Sequence, residues 1–271
     1  MPELPEVETT RRGLAPHLTG ATLSEIHVRQ ARLRHPPDAT ALSTLCGQTV
    51  RALERRAKYL LMHFDTRTLI VHLGMSGSLR LLPEGEPLRP HDHVVLGFGP
   101  QQLVYHDPRR FGGFVLAHTE SLPDHALFRH LGPEPLSDAL TGDYLYRLSR
   151  GRRQGVKPFI MDQRIVVGVG NIYATEALFS SGIRPDRPAG RISRTRYDCL
   201  AQAIKAILSA AIEQGGTTLR DFVNGHGKPG YFAQTLQVYG REGTPCPACQ
   251  RPLRLLRLGG RSSVFCASCQ R

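Results

Sequence analysis

Hydrophobic and polar positions divide the chain into stretches of different period. Pro5 opens a run to about residue 18 that predicts a helix, with Glu6 and Glu8 in its first turn, where acidic groups suit the helix dipole. From about Ala21 to Ala117 the pattern turns short and β-like: TLSEIHVRQ, TVRALERRA, YLLMHF, TLIVHLG, GSLRLL, HVVLGF and LVYHD recur between turn residues. Short strands at such spacing predict a sandwich or a barrel, with the first helix packed against it and holding the N-terminus in place. LGPEPLSD (131–138), with two prolines and a glycine, reads as a linker, and helical patterning follows it. Asn171 is placed to cap the run IYATEALFSS, which Gly182 and Pro185 end. A longer helix is predicted over about Ser193–Gln214, where Leu200, Ala201, Ile204, Ile207, Leu208 and Ala211 repeat at helical spacing and Gly215-Gly216 stops it. Near the end, LRLLRL, Gly259-Gly260 and RSSVF predict a β-hairpin carrying Arg254, Arg257 and Arg261.

Composition narrows the partners. The 271 residues leave room for about two domains. With 35 basic and 23 acidic residues the net charge is +12, which points to a polyanion, nucleic acid before acidic membrane. No apolar run approaches a membrane span and no signal peptide is visible, so a cytoplasmic protein is expected. Of the basic residues only four are lysines, at positions 58, 157, 205 and 228. Arginine stays protonated, whereas a lysine can move protons if its pKa is lowered, so each lysine invites a question. Lys205 falls inside a predicted helix and needs no special role.

Four features carry candidate chemistry. If Met1 is removed ahead of the small Pro2, the chain starts with a secondary amine, partly unprotonated near neutral pH and able to attack a carbonyl-like carbon. Glu3 would then set a proton carrier beside this nucleophile; an ordinary acidic helix start fits the same residues. Cys246-x2-Cys249, followed after 16 residues by Cys266-x2-Cys269, is a four-thiolate zinc pattern. Cys46 and Cys199 stand apart and are expected to be buried thiols. Lys58 ends the run Arg55-Arg56-Ala57-Lys58, which by itself reads as a solvated strand end. The sequence GGTTLRDFVNGHGKPGYF (215–232) is a glycine-rich loop.

The segments MPELPEVETTRRGL, RRAKYLL, HLGMSGSLR, HDH, DPRRFG, LGPEPLS, KPFIMD, VGVGNIYATEALF, GGTTLRDF, GKPGYFAQ and VYGR, with the terminal cysteine pairs, run through the whole chain. Together they resemble formamidopyrimidine-DNA glycosylase, a bacterial base-excision family for oxidised purines. The resemblance implies an α+β chain: an N-terminal two-layered β-sandwich with flanking helices, a helical helix–two-turns–helix domain and a terminal zinc-finger β-hairpin. The corresponding division is 1–130, a linker over 131–138, 139–236 and 237–271. It implies a glycosylase and abasic-site lyase with Pro2, Glu3, Lys58 and Arg261 in catalysis. Met75, Arg109 and Phe111 would fill the gap left by a flipped base, and His72, His91, Arg153, Lys157, Asn171 and Tyr239 would contact DNA. Glu6 and the loop residues Thr217, Thr218, Leu219, Arg220, Asp221 and Phe222 would recognise the lesion. One structural Zn2+, held by Cys246, Cys249, Cys266 and Cys269, a monomeric state and duplex DNA bearing oxidised purines or abasic sites complete the expectation. Two rivals stay open: an endonuclease VIII-type enzyme for oxidised pyrimidines, and a zinc-ribbon DNA-binding protein without catalysis.

Overall fold

The computed structural model describes residues 2–216 and 235–271. They form two compact units, one of residues 2–129 with 214–216 and the other of residues 130–213 with 235–271.

In the first unit, α1 (Leu4–Leu18) starts at Glu3, whose extended backbone makes it the N-cap, and Pro5 occupies the first turn, where its missing N–H costs nothing. The Glu6 carboxylate accepts the Glu3 backbone N–H at 2.8 Å, one arm of a capping box. Val7, Leu14 and Leu18 face a core shared with two antiparallel sheets. One sheet has the order β1 (Glu25–Val28), β6 (Asp92–Phe98), β7 (Gln101–His106), β5 (Ser78–Pro83). The other runs β2 (Ala52–Arg56), β3 (Tyr59–His63), β4 (Arg67–His72), β8 (Gly113–His118). Leu60, Met62, Leu69, Val71 and Phe114 from the second sheet join Leu79, Val94, Leu96, Leu103 and Tyr105 from the first in one apolar cluster. This is a two-layered sandwich with the helix beside it. A short α2 (Ala39–Ser43), capped by Asp38 accepting from the Ala41 N–H, was not foreseen.

The second unit is helical: α3 (Gly142–Ser149), α4 (Val156–Met161), α5 (Asn171–Ser180) and α6 (Arg194–Glu213). Leu200, Ala201, Ile204, Leu208 and Ala211 of α6 are buried, as the periodicity requires. The strands β9 (Arg254–Leu258) and β10 (Arg261–Phe265) pair antiparallel with Arg261 opposite Leu258. Val264, Phe265 and Leu253 pack with Val238 and with Phe179 of α5. No helix among the described residues is long and apolar enough to cross a membrane.

Three expectations are corrected. Asn171 is not the cap of α5: Gly170 is, and Asn171 lies one residue inside, where its side chain accepts from Lys157. Cys46 and Cys199 are exposed, because each sits on the outer side of its segment while Leu45 and Leu200 take the inward positions. Lys58 is 6% exposed, unlike a solvated strand end, because the two-residue turn between β2 and β3 folds it inward.

Candidate active site and nucleic-acid interface

At the start of α1, Pro2, Glu3 and Glu6 are all buried. A Cβ placed on Gly216 would lie 3.2 Å from Glu6 Oε1, so the chain just before residue 217 runs against this carboxylate. Residues 217–222, the expected lesion contacts, lie outside the described residues. Farther along α1, Glu8 accepts from Arg11, Arg12 and Arg55, which ties α1 to β2. Burial alone would raise the Glu8 pKa, but the hydrogen bonds from Arg11 and Arg12 outweigh it and hold the carboxyl below its ordinary value.

One end of the sheet β2-β3-β4-β8 gathers several expected residues. Tyr59 pairs with His72, and His72 pairs with Gly113 on its other side. Lys58 therefore precedes β3 at the same end at which β4 delivers His72 and β8 begins. The turn that places Lys58 needs Ala57 at φ 55°, a left-handed conformation unusual for a residue with a side chain. His72 has its pKa lowered to about 4, first by burial and then by the positive charges of His35, Lys58 and Arg34. It is therefore neutral at pH 7, and its Nδ1 accepts the Gly74 N–H at 3.1 Å.

The connections β4–β5 and β7–β8 touch backbone to backbone: a Cβ on Gly74 would collide with the Gly112 nitrogen and the Phe111 carbonyl carbon. Gly74 also has φ +67°, so both space and conformation exclude other residues there. Met75 and Phe111 are 37% and 41% exposed, two of the four large apolar side chains left exposed among the described residues. The Arg109 guanidinium lies 5.1 Å from the Phe111 ring centroid. Two apolar side chains and one planar donor thus stand together on adjoining loops, a set suited to entering a base stack. His91, also exposed and at φ 70°, precedes β6; its neighbours Asp92 and His93 are buried, Asp92 against Arg80 and His93 on the Asp107 carbonyl. These contacts give Asp92 and His93 of the HDH motif protein partners.

In the second unit, Lys157 Nζ donates to Asn171 Oδ1, the Ser262 carbonyl and Ser263 Oγ. A cleft of about 190 Å³ beside it is lined by Lys157, Met161, Asp162, Leu258 and Arg261. Arg153 lies with Arg152 and Arg191 on another cleft, of about 520 Å³. Tyr239 is positioned by Glu176, a residue the sequence reading passed over. Its buried carboxylate accepts the N–H groups of Gln237, Val238 and Tyr239 at 2.9, 3.0 and 2.8 Å. Asp107, likewise passed over, accepts from Ser76, Tyr105 and Gly112. Both lie inside motifs that carry the family resemblance, Asp107 heading DPRRFG, and that membership is their one visible signal in the sequence.

The sulfur atoms of Cys246, Cys249, Cys266 and Cys269 lie within 4.8 Å of one another. Separations of 3.5 Å (Cys249–Cys266) and 3.9 Å (Cys246–Cys269) are far too long for disulfides. A tetrahedral ion with metal–sulfur bonds near 2.3 Å sets its ligands about 3.8 Å apart, so the four residues fit one metal ion.

The formamidopyrimidine-DNA glycosylase N-terminal domain matches residues 1–114, and the formamidopyrimidine-DNA glycosylase H2TH domain matches residues 131–223. Proteins called formamidopyrimidine-DNA glycosylase from Stutzerimonas stutzeri and Marinobacter nauticus are 59% and 56% identical, each over 100% of both chains. Among solved structures, a variant of the Lactococcus lactis protein in complex with Fapy-dG-containing DNA shares 33% identity and a TM-score of 0.94 over 100% of both chains. The same protein with an abasic-site DNA gives the same two values over 99% of both chains. With both domains matched in order and relatives similar from end to end, the chain belongs to the formamidopyrimidine-DNA glycosylase family.

Proposed function

We propose that the protein is a base-excision enzyme that removes oxidised purines from duplex DNA and then cleaves the strand at the abasic site. The observation that carries this reading is the buried Pro2-Glu3-Glu6 start of α1 in a chain of this family, whose solved relatives hold Fapy-dG and abasic DNA.

Once Met1 is removed, the Pro2 nitrogen bonds to C1′ of the flipped nucleotide. The glycosidic bond breaks with its electron pair going to the base, which leaves with a proton. Glu3 supplies that proton as the base departs, and the ring oxygen takes the proton shed by the Pro2 nitrogen as the ring opens to an iminium between C1′ and nitrogen. That electron sink acidifies the 2′ hydrogen; its loss expels the 3′ phosphate, and a second elimination expels the 5′ phosphate. Lys58 assists the proton transfers, and Arg261 holds phosphate during the second elimination. Met75, Arg109 and Phe111 fill the vacated stack, and Glu6 with the segment 215–232 recognises the base. His72, His91, Arg153, Asn171 and Tyr239 face the DNA backbone, and the buried Lys157, expected to contact DNA itself, instead supports that face through Asn171 and β10. The metal is assigned as one zinc ion on the four cysteines, supplying folding energy to the hairpin and no chemistry. A monomer working in the bacterial cytoplasm completes the reading, with the division 1–130, 131–138, 139–236 and 237–271 kept as working domains.

Glu3→Gln and Pro2→Gly test the roles on two substrates. Glu3→Gln should fail on 8-oxoguanine duplexes yet keep nicking preformed abasic sites, the loss being about 10²–10⁴-fold as expected for a general acid–base group. Borohydride should trap Glu3→Gln on abasic DNA with the adduct at Pro2, whereas Pro2→Gly should be impaired on both substrates. An adduct mapping to Lys58 would remove Pro2 from the mechanism.

A further inference from the structure

Asp107 is 0% exposed, follows β7 directly and has no part in the chemistry above. Its two carboxylate oxygens serve different segments. Oδ1 accepts from Ser76 Oγ at 2.7 Å, in the β4–β5 connection. Oδ2 accepts from the Gly112 N–H at 2.9 Å, in the β7–β8 connection, and from the Tyr105 hydroxyl at 3.0 Å. Ser76 Oγ passes the link on by accepting the Arg109 N–H at 3.2 Å. The Asp107 carbonyl also accepts from His93 Nε2 at 2.8 Å. Burial and the adjacent carboxylate push the Tyr105 hydroxyl far above its ordinary pKa, so it remains a donor.

All three partners of this carboxylate, two hydroxyls and one backbone N–H, are neutral donors, and an ionised carboxylate is acceptor-only with room for all of them. The chain positions it holds are telling. Ser76 follows Met75, Gly112 follows Phe111, and Arg109 is held through its own N–H. Each of the three stack-filling side chains thus projects from, or next to, a residue tied to Asp107, either directly (Ser76 through its hydroxyl, Gly112 through its N–H) or through Ser76 (Arg109). The close approach of Gly74 and Gly112 leaves no slack between the two loops.

We infer that Asp107 is the positioning residue for Met75, Arg109 and Phe111, its carboxylate locking their two loops so that the three enter the duplex as one rigid unit. The inference rests on the stack-filling role assigned to them above. Asp107 touches neither sugar nor base; it acts through the loops it ties.

The test follows insertion and chemistry separately. A duplex carrying 2-aminopurine beside the lesion reports unstacking as a fluorescence rise on mixing. An abasic site in a single strand has no stack to fill, so nicking there reads the chemistry alone. Asp107→Ala should slow the fluorescence rise at least about tenfold, because small misplacements of positioned groups are costly, while still nicking the single strand at the unsubstituted rate. Asp107→Asn keeps one oxygen for Gly112 and Tyr105, its amide can donate to Ser76 Oγ, and it should recover most of the rise. Ser76→Ala removes one link with little risk to the fold and should slow the rise to a smaller degree; if Asp107→Ala does not fold, Ser76→Ala decides. Equal loss on duplex and single strand would make Asp107 a general fold residue and overturn the inference. Arg109→Ala serves as the reference. If it too leaves the rise unchanged, the stack-filling role falls and the inference falls with it. If Arg109→Ala is slow and the Asp107 and Ser76 variants are not, the inference alone fails.

Discussion

The Lys157 ammonium donates to Asn171 Oδ1 at 2.7 Å, linking the side chains of two different helices. The same nitrogen reaches the Ser262 carbonyl and Ser263 Oγ, both at 2.8 Å, so one buried cation ties α4, α5 and β10 together. Charged hydrogen-bond donors are costly to remove when their acceptors stay buried. Lys157→Met should therefore lower stability by about 1–3 kcal/mol and loosen the strand that begins with Arg261. Thermal melting checks the first part and DNA affinity the second. An unchanged melting temperature would mean that water replaces the ammonium without penalty.

His72 makes acid stability pH-dependent in a defined direction. Its folded pKa of about 4 lies below the ordinary value of 6.5, so the unfolded chain takes up the proton first as pH falls. Its contribution is present in full above pH 6.5 and is lost between there and about pH 4. Between pH 7 and pH 5 the loss from this residue alone is about 2 kcal/mol. His72→Gln should flatten the denaturation free energy over that range by a similar amount. A ring that titrates near 6.5 by NMR in the folded enzyme would contradict the structure.

The cysteine cluster should control both metal content and the hairpin. Cys249→Ser removes one of four thiolates, and a segment this small has few other sources of folding energy. Metal analysis should show one ion per chain falling toward none, with abasic-site DNA bound much more weakly. Full metal content in the variant would refute the assignment.

Arg261, exposed at the start of β10, is expected to neutralise one phosphate. Affinity for DNA should fall steeply with salt, and Arg261→Ala should reduce the slope of log affinity against log salt by about one. An unaltered slope would place Arg261 away from the backbone.

Much of the fold could be read from periodicity. The first helix, α6 and the glycine-turned hairpin all lie where apolar spacing puts them. Short elements were harder: α2 and α4 span 5 and 6 residues, too few for a helical repeat to declare itself. Among candidate site residues, the cysteine tetrad was legible because metal geometry demands a fixed spacing. Asp107 and Glu176 were not. Glu176 accepts from backbone N–H groups, which leave no residue-type signature in a sequence, and Asp107 binds one such group and a serine 31 residues away. Asn171 was misread for a related reason: its amide could cap a helix locally, and only the tertiary structure shows Lys157 using it instead.

The pairing of β8 with β4 has a consequence for how activity is acquired. β2, β3 and β4 are joined by short hairpins, but β8 reaches β4 only after β5, β6 and β7 have intervened. Pairings of such sequence separation are slow to form because loop closure precedes their reward. The Lys58 turn can form locally and early, whereas Phe111 gains its place beside Gly74 only when the most distant strand of that sheet has docked. A newly made chain is therefore expected to hold its local hairpins before Phe111 and Gly74 meet, so the geometry of the two adjoining loops is completed late in folding.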